Sequence, residues 1–91
     1  MDAMARLLRN TLRALLVVHQ LEQSSLLKTI AAEDTPEPFK DRAVVRYQEL
    51  LRRIATVVEG LRVLDQEGAA AVVRRGLTDG DLADEISQYV H

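Results

Sequence analysis

The chain of 91 residues contains no cysteine and no tryptophan. Without cysteine there are no disulfides, no thiolate nucleophile and no Cys-ligated zinc or iron–sulfur centre. Aromatic residues make up only 3%, namely Phe39, Tyr47 and Tyr89. Any core is therefore aliphatic, built from Leu, Val, Ile and Ala. Long apolar runs are also missing. None exceeds five residues, as in Ala14 to Val18, against about 20 for a membrane span, and that is too short for a signal-peptide core. The net charge of −2 lacks the strong basic excess of a general polyanion binder. No Gly-rich phosphate loop, nucleophile elbow or pair of inward carboxylates is present, and no enzymatic activity or cofactor is expected.

What the chain does have is helical patterning. Hydrophobic residues are 47% and charged residues 29% of the total, a palette that suits an all-α helix bundle. Ala43, Tyr47, Leu50, Ile54, Val57, Leu61 and Leu64 are spaced 4, 3, 4, 3, 4, 3. Such a stripe is satisfied by another helix laid against it. A first helix is expected over residues 2–32, with Met1, Ala5, Leu8, Leu12, Leu15, Leu26 and Ile30 on one face and Leu16 and Leu27 at its edge. The segment from Glu33 to Pro38 reads as a short turn. Asp34 or Thr35 would cap the next helix, and Pro36 and Pro38 would fall in its first turn. A second helix is expected over 36–75, bent near Gly68 and stopped by Gly76, with Gly60 on its outer face. A short C-terminal helix is expected over 79–90, with Leu82, Ile86, Tyr89 and Val90 as its apolar stripe.

The expected architecture is thus a single helical domain, residues 1–91. It is an antiparallel hairpin of two long helices plus a short C-terminal helix. Two such helices of roughly 45–55 Å at ~1.5 Å per residue cover each other poorly in one chain. The economical assembly is a homodimer, two hairpins forming a four-helix bundle. The interface residues expected are Leu8, Leu12, Leu15 and His19 of the first helix, with Tyr47, Leu50, Ile54, Val57, Leu61 and Leu64 of the second.

Three features invite a chemical reading. His19 interrupts the apolar stripe of the first helix, with Glu22 and Gln23 one turn on. His-x-x-Glu places an imidazole beside a carboxylate, which makes His19 and Glu22 candidates for a metal or proton site. The simpler reading is a polar layer that fixes register and oligomeric state, and no metal is assigned. Arg6, Arg9 and Arg13 form a basic stripe that would meet phosphates, an acidic partner or only solvent. Arg42, Arg46 and Arg53 with Glu49 read as a charged outer face.

Thirdly, Arg75-Gly76-Leu77-Thr78-Asp79-Gly80-Asp81-Leu82-Ala83 resembles the opening helix of many helix-turn-helix repressors. The resemblance spans nine residues. The acidic stretch that follows and the absence of a recognition helix before His91 make DNA reading an unexpected role.

The leading expectation is a small non-enzymatic interaction protein, an adaptor, chaperone or accessory subunit, homodimeric and bound to another protein. The alternatives are a metal- or ligand-binding bundle using His19 and Glu22, and a nucleic-acid regulator using the arginine stripe. The basic, acid-poor N-terminus is like that of a mitochondrial presequence, but the helical pattern runs past it without a break. The expected setting is the cytoplasm, and the Ala-, Leu-, Val- and Arg-rich composition suits a bacterium.

Overall fold

The computed structural model describes residues 3–77. Three helices account for most of them: α1, Ala3–Ala31; α2, Glu37–Glu67; and α3, Ala69–Arg74. The expected last helix over 79–90 lies outside the described residues. The all-α class holds, and among the described residues there is no strand. No helix there is long and apolar enough to cross a membrane.

The turn between α1 and α2 is short because the second helix starts sharply at Pro36. Pro36 (φ −60°, ψ 144°) stands just before the second helix, and its carbonyl accepts from the amides of Phe39 and Lys40 at 3.0 and 3.1 Å. Glu37 places negative charge in that first turn, where the helix dipole favours it. No side chain caps the helix, so the role expected for Asp34 or Thr35 is not filled. The proline-imposed geometry starts the helix without them.

The hairpin buries Ala5, Leu8, Leu12 and Leu15 of α1 against Val57, Val63 and Leu64 of α2, with Ala71 and Val72 of α3 closing the end away from the turn. Leu12, Leu50, Val63 and Val72 are wholly sequestered. Each such side chain contributes about 1.5–3 kcal/mol of transfer free energy. The core is therefore concentrated in the half of the hairpin where α3 adds a third wall. Toward the turn, Ala43 and Leu50 are the buried apolar residues of α2, while Leu26 and Ile30 are half-buried.

The second helix differs from expectation in two ways. It ends at Glu67 rather than continuing to Arg75. Gly68 takes φ 92° and ψ 174°, a combination open essentially to glycine alone, and so breaks the chain cleanly where only a bend was anticipated. α3 then runs to Arg74 and closes in a Schellman motif: the amide of Leu77 donates to Val72 O at 3.2 Å and that of Gly76 to Val73 O at 3.1 Å, with Gly76 left-handed at φ 66°. The motif returns Leu77 onto the core.

The inward face of α2 is also rotated from the 4-3 stripe. Ala43, Leu50, Val57 and Leu64 are buried, one residue in seven, but Tyr47, Ile54 and Leu61 are half-buried. Gly60 and Val63 are buried instead. Gly60 is thus not on the outer face. A Cβ there would stand 3.5 Å from Leu12 Cδ1. Val63 is covered because α3 packs on that side of α2.

The two glycines predict opposite outcomes. A methyl at Gly60 meets Leu12 at ordinary van der Waals distance, so Gly60→Ala should gain about 0.5–1 kcal/mol through helix propensity. Gly68→Ala should cost about 1–3 kcal/mol through backbone strain. Chemical-denaturation midpoints of the two variants, moving in opposite directions, would check both.

Candidate functional site

Just past the middle of α1 the apolar seam gives way to His19, which is only 8% exposed. Its Nδ1 is buried without a hydrogen-bond partner. One turn later Glu22 reaches across the hairpin to Arg46. The guanidinium donates from Nε to Glu22 Oε2 at 2.5 Å and from its second terminal nitrogen to Oε1 at 3.1 Å. This fork matches the planar guanidinium to both carboxylate oxygens.

Arg46 also lies 3.2 Å from Glu49, and Glu49 accepts from Arg53 at 2.9 Å. Four charges of alternating sign, Glu22, Arg46, Glu49 and Arg53, therefore run from α1 onto the flank of α2. The hydrogen bond from Arg46 holds the Glu22 carboxyl below its ordinary value, against the opposing effect of burial, and His19 and Arg53 add smaller attractions. Arg46 is raised further above its own range, chiefly by Glu22. Glu49 is also held low, first by Arg46 and then by Arg53.

Arg46 and Arg53 depart from the charged outer face expected of them together with Arg42. Both are half-buried, and Arg46 borders the seam because it follows the buried Ala43 by three residues, close to one helical turn. Its partner Glu22 is consequently committed. Both carboxylate oxygens meet a cation, and among the described residues no three His, Cys, Asp or Glu side chains gather as a metal would need.

The arginine stripe of α1 is likewise not uniform. Arg6 and Arg13 are exposed, whereas Arg9 forms an ion pair with Asp65 of α2 and its Nε is buried. The expected interface residues divide in the same manner. Leu8, Leu12, Leu15, His19, Leu50, Val57 and Leu64 are buried within one hairpin, and Tyr47, Ile54 and Leu61 lie half-buried at its edge.

A further surface went unremarked in the sequence. Val17, Val18 and Leu21 of α1 are 54, 56 and 67% exposed, and Ala14 beside them is exposed too. Positions 14, 17, 18 and 21 recur at the spacing of one helix face. That pattern is present in the sequence, within and just beyond the apolar run of residues 14–18.

Comparison with protein-family models, with curated proteins and with solved structures finds no match to this chain.

The polar layer yields two expected outcomes. The folded-state pKa of Glu22 lies below its ordinary 4.5, so its contribution to stability is present above that pH and is lost as the pH falls through the folded value. Since the pair is more than a third exposed, Glu22→Gln should lower stability by no more than about 1 kcal/mol at neutral pH. The difference from the parent should shrink as the pH is lowered from 4.5 through the folded value, as followed by urea melts across pH. For His19, whose Nδ1 is unpartnered, replacement by Leu should raise stability by on the order of 1 kcal/mol. A lower Tm for His19→Leu would show that the imidazole is required.

Proposed function

We propose that this chain is a non-enzymatic protein–protein interaction module, an adaptor, chaperone or accessory subunit that acts as a homodimer and binds another protein in the bacterial cytoplasm. The observation that carries this reading is the outer face of α1. A small hairpin with apolar side chains to spare would be expected to place them inside. Here Val17, Val18 and Leu21 are more than half exposed while Leu12 and Leu15, on the same helix, are buried. A contiguous apolar patch of this kind is costly in water and marks a surface that another molecule covers. The charged groups of the hairpin fit the same role. Glu22 and Arg46, and Arg9 and Asp65, pair with one another across the two helices, which engages these charges within the hairpin and away from the outer face of α1.

The test substitutes the patch without touching the core. A Val17→Lys/Leu21→Lys chain should keep the circular-dichroism spectrum and Tm of the parent, since both sites are exposed. It should fail to retain the protein that the parent captures from native extract as a stoichiometric complex, with affinity reduced at least about tenfold, or 1.4 kcal/mol. Equal retention by the two chains would reject the α1 face as the binding surface.

A further inference from the structure

Six apolar side chains descend one edge of α2, beside the face that meets α1: Val44, Tyr47, Leu51, Ile54, Val58 and Leu61. Their spacing is 3, 4, 3, 4, 3, a second seven-residue seam displaced around the helix from the buried line of Ala43, Leu50, Val57 and Leu64. Val44, Leu51 and Val58 are 38, 47 and 50% exposed, and Tyr47, Ile54 and Leu61 are half-buried. α1 therefore satisfies one seam of α2 and leaves the other partly in water. A seam with this period accepts a helix.

We propose that this second seam binds a second copy of the chain, α2 antiparallel to the other α2 about a two-fold axis passing between Leu51 and Ile54. The proposal deepens the homodimer element of the reading above by assigning its face, and it is independent of the α1 patch.

Two observations select this occupant and this orientation. The first is self-complementarity. A two-fold interface uses the same surface on both subunits, and this seam reads the same in both directions. An antiparallel copy sets Val44 against Leu61, Tyr47 against Val58 and Leu51 against Ile54, each pair occurring twice. Every layer is apolar, and the tyrosine ring at the half-buried Tyr47 meets a small valine.

The second observation is charge. The outer flank of the seam is the line of positions 41, 48, 55 and 62, occupied by Asp41, Gln48, Ala55 and Arg62. Antiparallel pairing brings Asp41 of each copy beside Arg62 of the other, and Gln48 beside Ala55. Parallel pairing would turn this flank of each copy toward the line of Ala43, Leu50, Val57 and Leu64 of the other, which is already buried within the hairpin, and would form no such ion pair. Arg62 lies against Glu59 and donates to Gln66 of its own helix at 2.9 Å, yet its side chain remains 48% exposed. Its guanidinium, with five donors, is open to a second carboxylate. Asp41 is exposed.

The experiment is sedimentation of the full chain over micromolar concentrations, with variants that leave the hairpin intact. The parent should sediment as a dimer, twice the 10.2 kDa of the chain. Leu51→Lys alters an exposed position and should retain parental helicity by circular dichroism while sedimenting as a monomer. Asp41→Arg places a second cation against Arg62, and Arg62→Asp places a second anion against Asp41. Each should weaken dimerisation about three- to tenfold, two exposed pairs being disturbed per dimer. The double variant Asp41→Arg/Arg62→Asp should restore it.

A dimer that persists in Leu51→Lys, or single variants not rescued in the double, overturns the assigned face or orientation while leaving a homodimer in place. A monomeric parent overturns the homodimer itself.

Discussion

The approach of α1 to α2 at Leu12 and Gly60 is the contact on which the remaining structure depends. Leu12 is wholly buried, and its side chain lies over Gly60, where an added methyl would make ordinary van der Waals contact with it. Because an antiparallel pair has a single register once one contact is set, this packing also determines which other residues meet. It brings Arg9 to Asp65 near the closed end and Glu22 to Arg46 nearer the turn. The two ion pairs follow from the apolar register and decorate its margins. Exposed pairs of this type add a few tenths of a kcal/mol and some orientation, whereas the buried leucines and valines supply most of the driving force.

The core is uneven, and its unevenness organises the surface. Where α3 folds back after Gly68, three walls enclose Val63, Leu64 and Val72. Toward the turn only two walls exist, and His19 occupies a position that another leucine would otherwise fill. The apolar side chains that do not fit between two helices are left at the margins: Val17, Val18 and Leu21 on the back of α1, and Val44, Leu51 and Val58 along one edge of α2. A two-helix hairpin has more apolar helix surface than contact area. This excess is the physical origin of both surfaces proposed to bind other chains.

Much of this was legible in the 91 residues, through local chemistry. The seven-residue stripe on α2, the apolar face of α1 and the prolines at positions 36 and 38 together identify a helical hairpin. Gly76 after two arginines marks a helix end, expected for the second helix and found to close α3. His19 within an apolar stripe announces a polar interruption of the seam. Other features were not legible. A heptad stripe is wide enough to present two neighbouring faces, and the pattern alone does not say which of them the intramolecular partner takes. The same ambiguity put Arg46 among solvent-facing arginines and Gly60 on the outside.

By itself, the sequence determined the all-α class, the two long helices, the position of the turn and the residues able to be buried. These follow from backbone restrictions and periodicity, which act over a few residues and need no knowledge of what lies far along the chain. Only the tertiary structure decided that α2 stops at Glu67, that its buried line is shared with Gly60 and Val63, that Glu22 belongs to Arg46, and that one seam of α2 remains partly in water. Those outcomes depend on how two helices rotate against each other and on where α3 returns. They include the packing of Leu12 over Gly60, a contact between residues 48 positions apart that no local pattern contains.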